Sequence, residues 1–524
     1  MLEVKNLNIE FHDHSLPETV VYQFNLSMAE GDIVGVVGES GSGKTMSALA
    51  ICGLLSRRDM EKKGEILFGG KELLTCSRHE MRELQGDDIA IIFQEPMTSL
   101  NPVKTIGWQV EEALRIHTDM SREERYERAI WALTEAELPN PEKVYHQYPH
   151  ELSGGMRQRV MIAAAIVCRP RLLIADEPTT ALDVTIQAEI IDLLLKLNRE
   201  HKTAILFISH DLSLVRKLCR RVVVMQDGFI VEQGATENIF QHPQQEYTKR
   251  LIASIPNCEE VKEEKDFSGE EVVLAATDIH VSYHSSKGVF GKTQEQKVLN
   301  GIDFVLHKGE VLGLVGESGC GKSTLAKVIV GLNRNYSGQI SCAKGSVQMV
   351  FQDPYSSLNP RKTIGWIMEE PLKLKGGYTK EQRRQKVLEM LQKVELEPEI
   401  ADRYPRQLSG GQRQRVGIGL ALMSEPKVLV ADEPVSALDV TVQAQILKLL
   451  QKLKEEMGLA ILFISHDLRV VYQLCDNIII MDDGEIVERG TPQKIYTAHT
   501  HPYTGQLLKA AGIEKVAGIE MAAD

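Results

Sequence analysis

Eight cysteines are scattered through 524 residues without a C-x-x-C pair. That spacing argues against a disulfide framework or a structural zinc site and favours reduced, mostly buried thiols. Positive charge is also short: the net charge is −13, the wrong sign for a surface that tracks nucleic-acid phosphates. No apolar run approaches the roughly 18 to 20 residues needed to cross a bilayer; the longest, such as Met161 to Cys168, are far shorter. The opening MLEVKNLNIE has neither the basic region nor the apolar block of a signal peptide, so the expected compartment is the cytoplasm. The rest of the composition is that of a globular protein, 43% hydrophobic and 25% charged with few aromatics, and the length exceeds what one core can serve.

What the chain does have, it has twice. GESGSGKT at 38–45 returns as GESGCGKS at 316–323, and FQEP at 93–96 as FQDP at 351–354. LSGG, ADEP, ALDV and ISHD then recur at a constant offset of 256 residues, as from Ser153 to Ser409. The repeat predicts two homologous domains, 1–256 and 271–524. Between them NCEEVKEEKDFSGE, residues 257–270, reads as a charged linker. The copies differ in length: 56 residues separate Gly38 from Gln94, only 36 separate Gly316 from Gln352. The second copy is therefore expected to lack about a strand pair there, while its extra SSKGVFGKTQEQK at 285–297 reads as a polar surface loop.

GDIVGVVG and GEVLGLVG run as apolar strands into a glycine loop, and LLIA and AILFIS fit strands buried on both faces of a mainly parallel sheet. SREE at 121–124 and TKEQ at 379–382 are capping-box helix starts inside a helical insert. The expected class is α/β with a helical subdomain in each copy.

The pattern G-x-x-x-x-G-K-[ST] turns backbone N–H groups around phosphates, sends its lysine to the terminal phosphates and its hydroxyl to Mg²⁺. Gly38, Glu39, Ser40, Gly41, Ser42, Gly43, Lys44 and Thr45 form the first such loop. Gly316, Glu317, Ser318, Gly319, Cys320, Gly321, Lys322 and Ser323 form the second. Cys320 is open to two readings, a redox switch or an inert substitution. ADEP sets two carboxylates at a strand end: Asp176 and Asp432 to hold hydrated Mg²⁺, Glu177 and Glu433 to polarise the attacking water. ISHD adds His210 and His466 as catalytic candidates. Gln94 and Gln352 either reach the metal or the water, or cap a strand. LSGG places Ser153, Gly154, Gly155 and Ser409, Gly410, Gly411 before a helix, a turn shaped to hold an anion.

These motifs together resemble the ATP-binding cassette family over nearly the whole chain. The resemblance implies a P-loop NTPase fold with RecA-like cores, ATP and Mg²⁺ as ligands, and ATPase activity. It makes LSGG the family signature, Asp183 and Asp439 the D-loop aspartates, and Phe11 and Tyr283 the aromatics that stack on adenine. It also answers what the Ser-Gly-Gly turns bind: in this family two cassettes pack head to tail. Ser153–Gly155 would thus complete the site built on Lys322, and Ser409–Gly411 the one built on Lys44.

QEPMTSLNP and QDPYSSLNP, each soon followed by KTIGW, resemble the peptide and nickel importer subfamily where it docks a permease helix. EYTKRL at 246–251 and PYTGQL at 502–507 resemble that subfamily's carboxyl-terminal extension. The implied function is to energise import of a small solute, such as a peptide, a nickel or metal chelate or glutathione. The implied partners are two transmembrane permease subunits and an extracytoplasmic solute-binding protein, with this chain peripheral on the cytoplasmic face of a bacterial membrane and no nucleic acid bound. The alternative, a double cassette acting on ribosomes or DNA, calls for a long charged helical linker or zinc-binding insertions, and the sequence has neither. Cys258 stands alone after the first cassette, so no iron–sulfur cluster is expected. Purified protein should show no visible iron–sulfur absorbance band, and a band approaching one cluster per chain would refute this.

Overall fold

The computed structural model describes residues 1–12, 17–55, 59–94, 96–180, 182–256, 258, 264–286, 293–343, 345–436 and 438–513. The chain folds as two units. The first comprises Met1–Leu182 and Ile186–Ile255 with the short segment Asp439–Thr441; the second comprises Asp183–Thr185, Pro256–Leu438 and Val442–Asp524. Part of the expected linker, residues 257 and 259–263, lies outside the described residues.

In the first unit ten strands form one sheet: β1 (Leu2–Phe11), β2 (Glu18–Met28), β3 (Ile33–Val37), β4 (Met60–Phe68), β5 (Lys71–Glu72), β6 (Ile89–Ile92), β7 (Leu172–Asp176), β8 (Ala204–Ile208), β9 (Arg221–Gln226) and β10 (Phe229–Ala235). Their order is β5-β4-β1-β2-β10-β9-β3-β8-β7-β6. Strand β3 is central and pairs in parallel with both β8 and β9. Every residue of β3, β7 and β8 is buried, as expected for strands covered on both faces. Alternation divides them: Ile33 and Val37 join the core shared with the helical subdomain, while Val34 and Val36 join the core under the antiparallel strands.

The second unit repeats this with β11 (Val272–Ser286), β12 (Thr293–His307), β13 (Val311–Val315), β14 (Ser337–Cys342), β15 (Val347–Val350), β16 (Val428–Asp432), β17 (Ala460–Ser465), β18 (Asn477–Asp482) and β19 (Glu485–Gly490). A three-stranded sheet runs β12-β11-β14, and a six-stranded one runs β15-β16-β17-β13-β18-β19. The helical subdomains contain Ile106–His117, Arg122–Glu135 and Gly154–Ile166 in one unit, and Ile364–Lys375, Lys380–Lys393 and Gly410–Leu422 in the other. Both expected capping boxes form, Ser121 with Glu124 and Thr379 with Gln382.

Two local expectations are corrected. The shorter stretch before Gln352 lacks not a strand pair but the counterpart of β5 and of the helix Arg78–Leu84. That helix opens on a capping box of its own, Ser77 with Glu80, a complete local fold signal that the second copy does not carry. Nor is 285–297 all loop: Ser285 and Ser286 pair with Gln294 and Thr293 in the β11–β12 ladder, which continues to Ser282 opposite Lys297. Cross-strand backbone bonding overrides a polar composition there; residues 287–292 lie outside the described residues.

Glycine is structural where the central strand meets a helix. A Cβ on Gly35 would lie 2.7 Å from Val215 Cγ1 and 3.0 Å from Cys219 Sγ, and one on Gly313 2.8 Å from Val471 Cγ1 and 2.9 Å from Cys475 Sγ. Gly417, inside the helix Gly410–Leu422, would meet nothing within 4 Å. Gly35→Ala and Gly313→Ala are expected to destabilise by about 1–3 kcal/mol through overpacking. Gly417→Ala should stabilise by about 0.5–1 kcal/mol through helix propensity. Urea unfolding midpoints check both signs.

Candidate functional site

Each central strand runs directly into its glycine loop, whose shape only glycine permits at two places. A Cβ on Gly38 would meet Met225 O at 2.1 Å, and one on Gly316 would meet Met481 O at 2.3 Å. Gly43 and Gly321, at φ 94° and 106°, cap the following helices in the left-handed region. Helices Lys44–Ile51 and Lys322–Ile329 thus point their free N–H groups into the loop, a ready anion site. Lys44 Nζ donates to the carbonyls of Gly38 and Glu39, both at 2.8 Å; Lys322 Nζ donates to those of Gly316 and Glu317 at 2.7 and 2.8 Å. Burial pulls the Lys44 ammonium below its ordinary value, while the carboxylates of Glu177 and Asp176 work the other way.

Beside each loop lies the end of the neighbouring carboxylate strand. Thr45 Oγ1 donates to Asp176 Oδ1 at 3.2 Å, and Ser323 Oγ to Asp432 Oδ1 at 3.2 Å. Burial pushes Asp176 up to about 6, although the Thr45 hydrogen bond opposes it; Asp432 is raised for the same reason. A hydroxyl and a carboxylate oxygen brought together in a buried pocket are hard ligands of the type Mg²⁺ takes alongside water and phosphate, so the donor set fits the ion.

The next residue leaves the strand in strained geometry. Glu177 and Glu433 adopt φ 48° and 46°, a region costly for a non-glycine residue and concentrated at functional sites. Their N–H groups hold the last carbonyl of the adjacent strand or its end, Ile208 O at 2.9 Å and Ile464 O at 3.0 Å. The turn aims each carboxylate at a histidine: His210 Nδ1 lies 3.2 Å from Glu177 Oε2, and His466 Nδ1 3.3 Å from Glu433 Oε1. Gln94 and Gln352 donate their amides to the same carboxylates, each at 2.7 Å. Burial alone would raise Glu177 and Glu433, but the histidine beside each holds it below the ordinary carboxylate value. Conversely, burial disfavours the imidazolium of His210 and His466, yet the paired carboxylate raises both above the ordinary value.

Ser153 and Ser409 cap the helices Gly154–Ile166 and Gly410–Leu422, each hydroxyl accepting an N–H three residues on. Gly155 and Gly411 allow close packing: added Cβ atoms would meet Ile186 at 2.9 Å and Val442 at 2.5 Å. Within the first unit Asp439 accepts the Ser40 N–H at 3.2 Å; within the second, Asp183 accepts the N–H and hydroxyl of Ser318 at 2.8 and 2.7 Å. Phe11 ends β1, partly buried, and Tyr283 lies exposed in β11, its hydroxyl accepting from Asn333 at 3.2 Å. Cys320 is buried and its thiol is pushed up, which leaves little thiolate for redox chemistry and favours the inert reading. Each unit thus holds three adjoining hydrogen-bonded sets: lysine to the loop carbonyls, hydroxyl to aspartate, and glutamine and histidine to glutamate. Sequence reasoning missed Thr180, whose hydroxyl donates to Glu177 Oε2 at 3.0 Å; its adjacency to ADEP was the available signal.

Comparison with known proteins decides the family. Residues 21–180 and 299–436 match the family described as ABC transporter, and 231–277 match the oligopeptide/dipeptide transporter C-terminal region. The chain belongs to the ABC transporter family. It is 42% identical to the peptidoglycan transport ATP-binding protein YejF of Agrobacterium fabrum, over 98% of this chain and 96% of that protein. It is 40% identical to the glutathione import ATP-binding protein GsiA of Salmonella typhimurium and of Escherichia coli K12, over 98% of this chain and 90% of those. A solved archaeal ribosome recycling factor, aABCE1 in complex with ribosomal stalk protein aP1, matches with TM-score 0.61 at 21% identity over 88% of this chain and 86% of its own; at that identity the likeness shows the fold alone. This ABC transporter chain is thus a double-cassette ATPase subunit that couples ATP hydrolysis to import. None of its helices, among the described residues, is long and apolar enough to cross a membrane.

The raised Asp176 carries a linkage consequence. An acid at about 6 folded against 3.8 unfolded binds more protons folded, so stability from this group is lost as pH rises between those values. Asp176→Asn should therefore make the nucleotide-free chain about 1–3 kcal/mol more stable at pH 7 than the wild type, with the advantage vanishing below about pH 4. Thermal melting across pH, without nucleotide, measures it.

Proposed function

We propose that the two glycine loops, each with its neighbouring carboxylates, are two MgATP hydrolysis sites, one in each cassette, and that they drive a peptide-class solute through a partner permease. The observation that carries the reading is the Glu177–His210–Gln94 set beside Lys44 and Asp176, repeated as Glu433–His466–Gln352 beside Lys322 and Asp432. Mg²⁺ would be held by Thr45 and Asp176, and by Ser323 and Asp432, and would neutralise phosphate charge. Glu177 and Glu433, kept ionised by their histidines, orient and polarise the water as general bases, and Gln94 and Gln352 bridge from the helical subdomain side to the same carboxylate. The Ser-Gly-Gly turns, with their capped helix starts, serve the γ-phosphate held by the other cassette, Ser153–Gly155 with Lys322 and Ser409–Gly411 with Lys44. ATP binds the closed pair best, so it closes the cassettes and hydrolysis releases them. The cassettes correspond to 1–256 and 271–524.

The partners are two permease subunits and a solute-binding protein, with the chain on the cytoplasmic face of the membrane. A groove of about 380 Å³ supports permease docking in the second cassette. Phe351, Pro371 and Leu374 line it, with Leu374 85% exposed, an apolar bed for a short amphipathic helix. Ile116 and Phe93 are the exposed counterparts in the first cassette. Since glutathione is a tripeptide and peptidoglycan carries peptide stems, the similar proteins' solutes favour a peptide-like cargo over a nickel chelate.

Glu177→Gln and Glu433→Gln should each lower ATP turnover, and together by roughly 10² or more, the usual worth of a general base; phosphate release by the purified full chain reads it, and unchanged turnover in the double variant would exclude the role. Uptake of labelled glutathione and short peptides, compared in cells with and without this chain, tests the cargo: uptake of all of them undiminished by its removal would sink that part.

A further inference from the structure

Beyond its last strand pair each cassette continues into a short helix remote in sequence from the glycine loop, Glu246–Ala253 and Pro502–Ala510. A carboxylate from the preceding strand fixes where each helix begins. Glu232 accepts the N–H groups of Gln244 and Gln245 at 2.9 and 3.1 Å. Glu488 accepts the Thr500 N–H at 2.6 Å and also the hydroxyl of Thr504. The second tail residue thereby reaches the loop. The phenolic oxygen of Tyr247 accepts the N–H of Glu39 at 3.1 Å, and that of Tyr503 accepts the N–H of Glu317 at 3.0 Å.

Glu39 and Glu317 are the same residues whose carbonyls receive the loop lysine. Each is therefore gripped at both ends of its backbone, by phenol on one side and ammonium on the other. The grip is kept in both copies although the loop repeats at an offset of 278 residues and the tail at 256, and although QQEYTKR and THPYTGQ share little beyond Tyr-Thr. A tyrosine needed only for packing could as well be phenylalanine. One whose hydroxyl meets a loop N–H in two independent settings is placed for its oxygen.

We propose that Tyr247 and Tyr503 are positioning residues of the two nucleotide sites: the importer tail braces the glycine loop, holding Glu39 and Glu317 so that the loop's N–H groups converge before the phosphates arrive. The gain is preorganisation, which lowers the ordering cost of binding. It acts on nucleotide affinity and not on the water-activating acid. The inference rests on the reading of these loops as ATP sites.

The test uses the full chain with Tyr247→Phe, Tyr503→Phe and both together, which delete only the oxygen. One lost hydrogen bond to a loop N–H should weaken equilibrium binding of the fluorescent analogue TNP-ATP about 3- to 10-fold per site. KM for ATP should rise correspondingly in the double variant, with kcat within about two-fold and the nucleotide-free melting midpoint nearly unchanged. Amide exchange of peptides covering 38–45 and 316–323 should quicken while β3 and β13 stay protected. Wild-type affinity, KM and loop exchange in the double variant would overturn the brace. So would a lowered melting midpoint with KM unmoved in either single variant, since that marks packing alone. Failure of the wild-type chain itself to bind TNP-ATP would instead remove the underlying site reading.

Discussion

Two acids on consecutive residues, both largely withdrawn from water, should repel and share a proton. How each cassette relieves that repulsion sets the rest of its site. Asp176 stays on the strand, hydrogen-bonded to Thr45 and pushed up by burial. Glu177 breaks away through a left-handed turn into the company of His210, Thr180 and Gln94, and is pulled down. Environments that separate the two titrations assign two different tasks to chemically similar groups. The same division at Asp432 and Glu433 indicates that it belongs to the architecture and not to one accident of packing.

The parallel core and most of the chemistry were legible because burial on both faces leaves an unmistakable trace. IVGVV, LLIA and AILFIS are continuous apolar runs, and each ends where a motif begins. Capping boxes made two helix starts readable, and SRHE at 77–80 offered a third of the same pattern. What escaped was structure decided by partners far away. The ladder at 293–297 owes its form to pairing across to 282–286, which a polar composition does not announce. Tyr247 meets Glu39 across 208 residues and Tyr503 meets Glu317 across 186, so only a repeated Tyr-Thr hinted at them. The φ of Glu177 has no sequence signature, because strain is imposed by surroundings.

The two cassettes are alike in chemistry and unlike in trim. The loop of one has Ser42 and Thr45 where the other has Cys320 and Ser323, yet lysine, loop hydroxyl and both acids keep their hydrogen bonds. The first unit carries the helix Arg78–Leu84 and an added short strand, β5, the latter far in the sheet order from β3 and β7. Variation is thus tolerated at the sheet's edge while the central strands stay fixed. The fold confines change to where backbone and phosphate chemistry do not meet.

The strand order also has a cost during synthesis. β3 emerges early, yet its two sheet neighbours are β8 and β9, the first of which begins at Ala204. At roughly 5–20 residues per second, an almost wholly apolar five-residue strand waits on the order of 10–30 s for either flank. Until then its backbone edges are open and its side chains uncovered, a species prone to mispairing. The same interval recurs for β13, whose neighbours begin at Ala460 and Asn477.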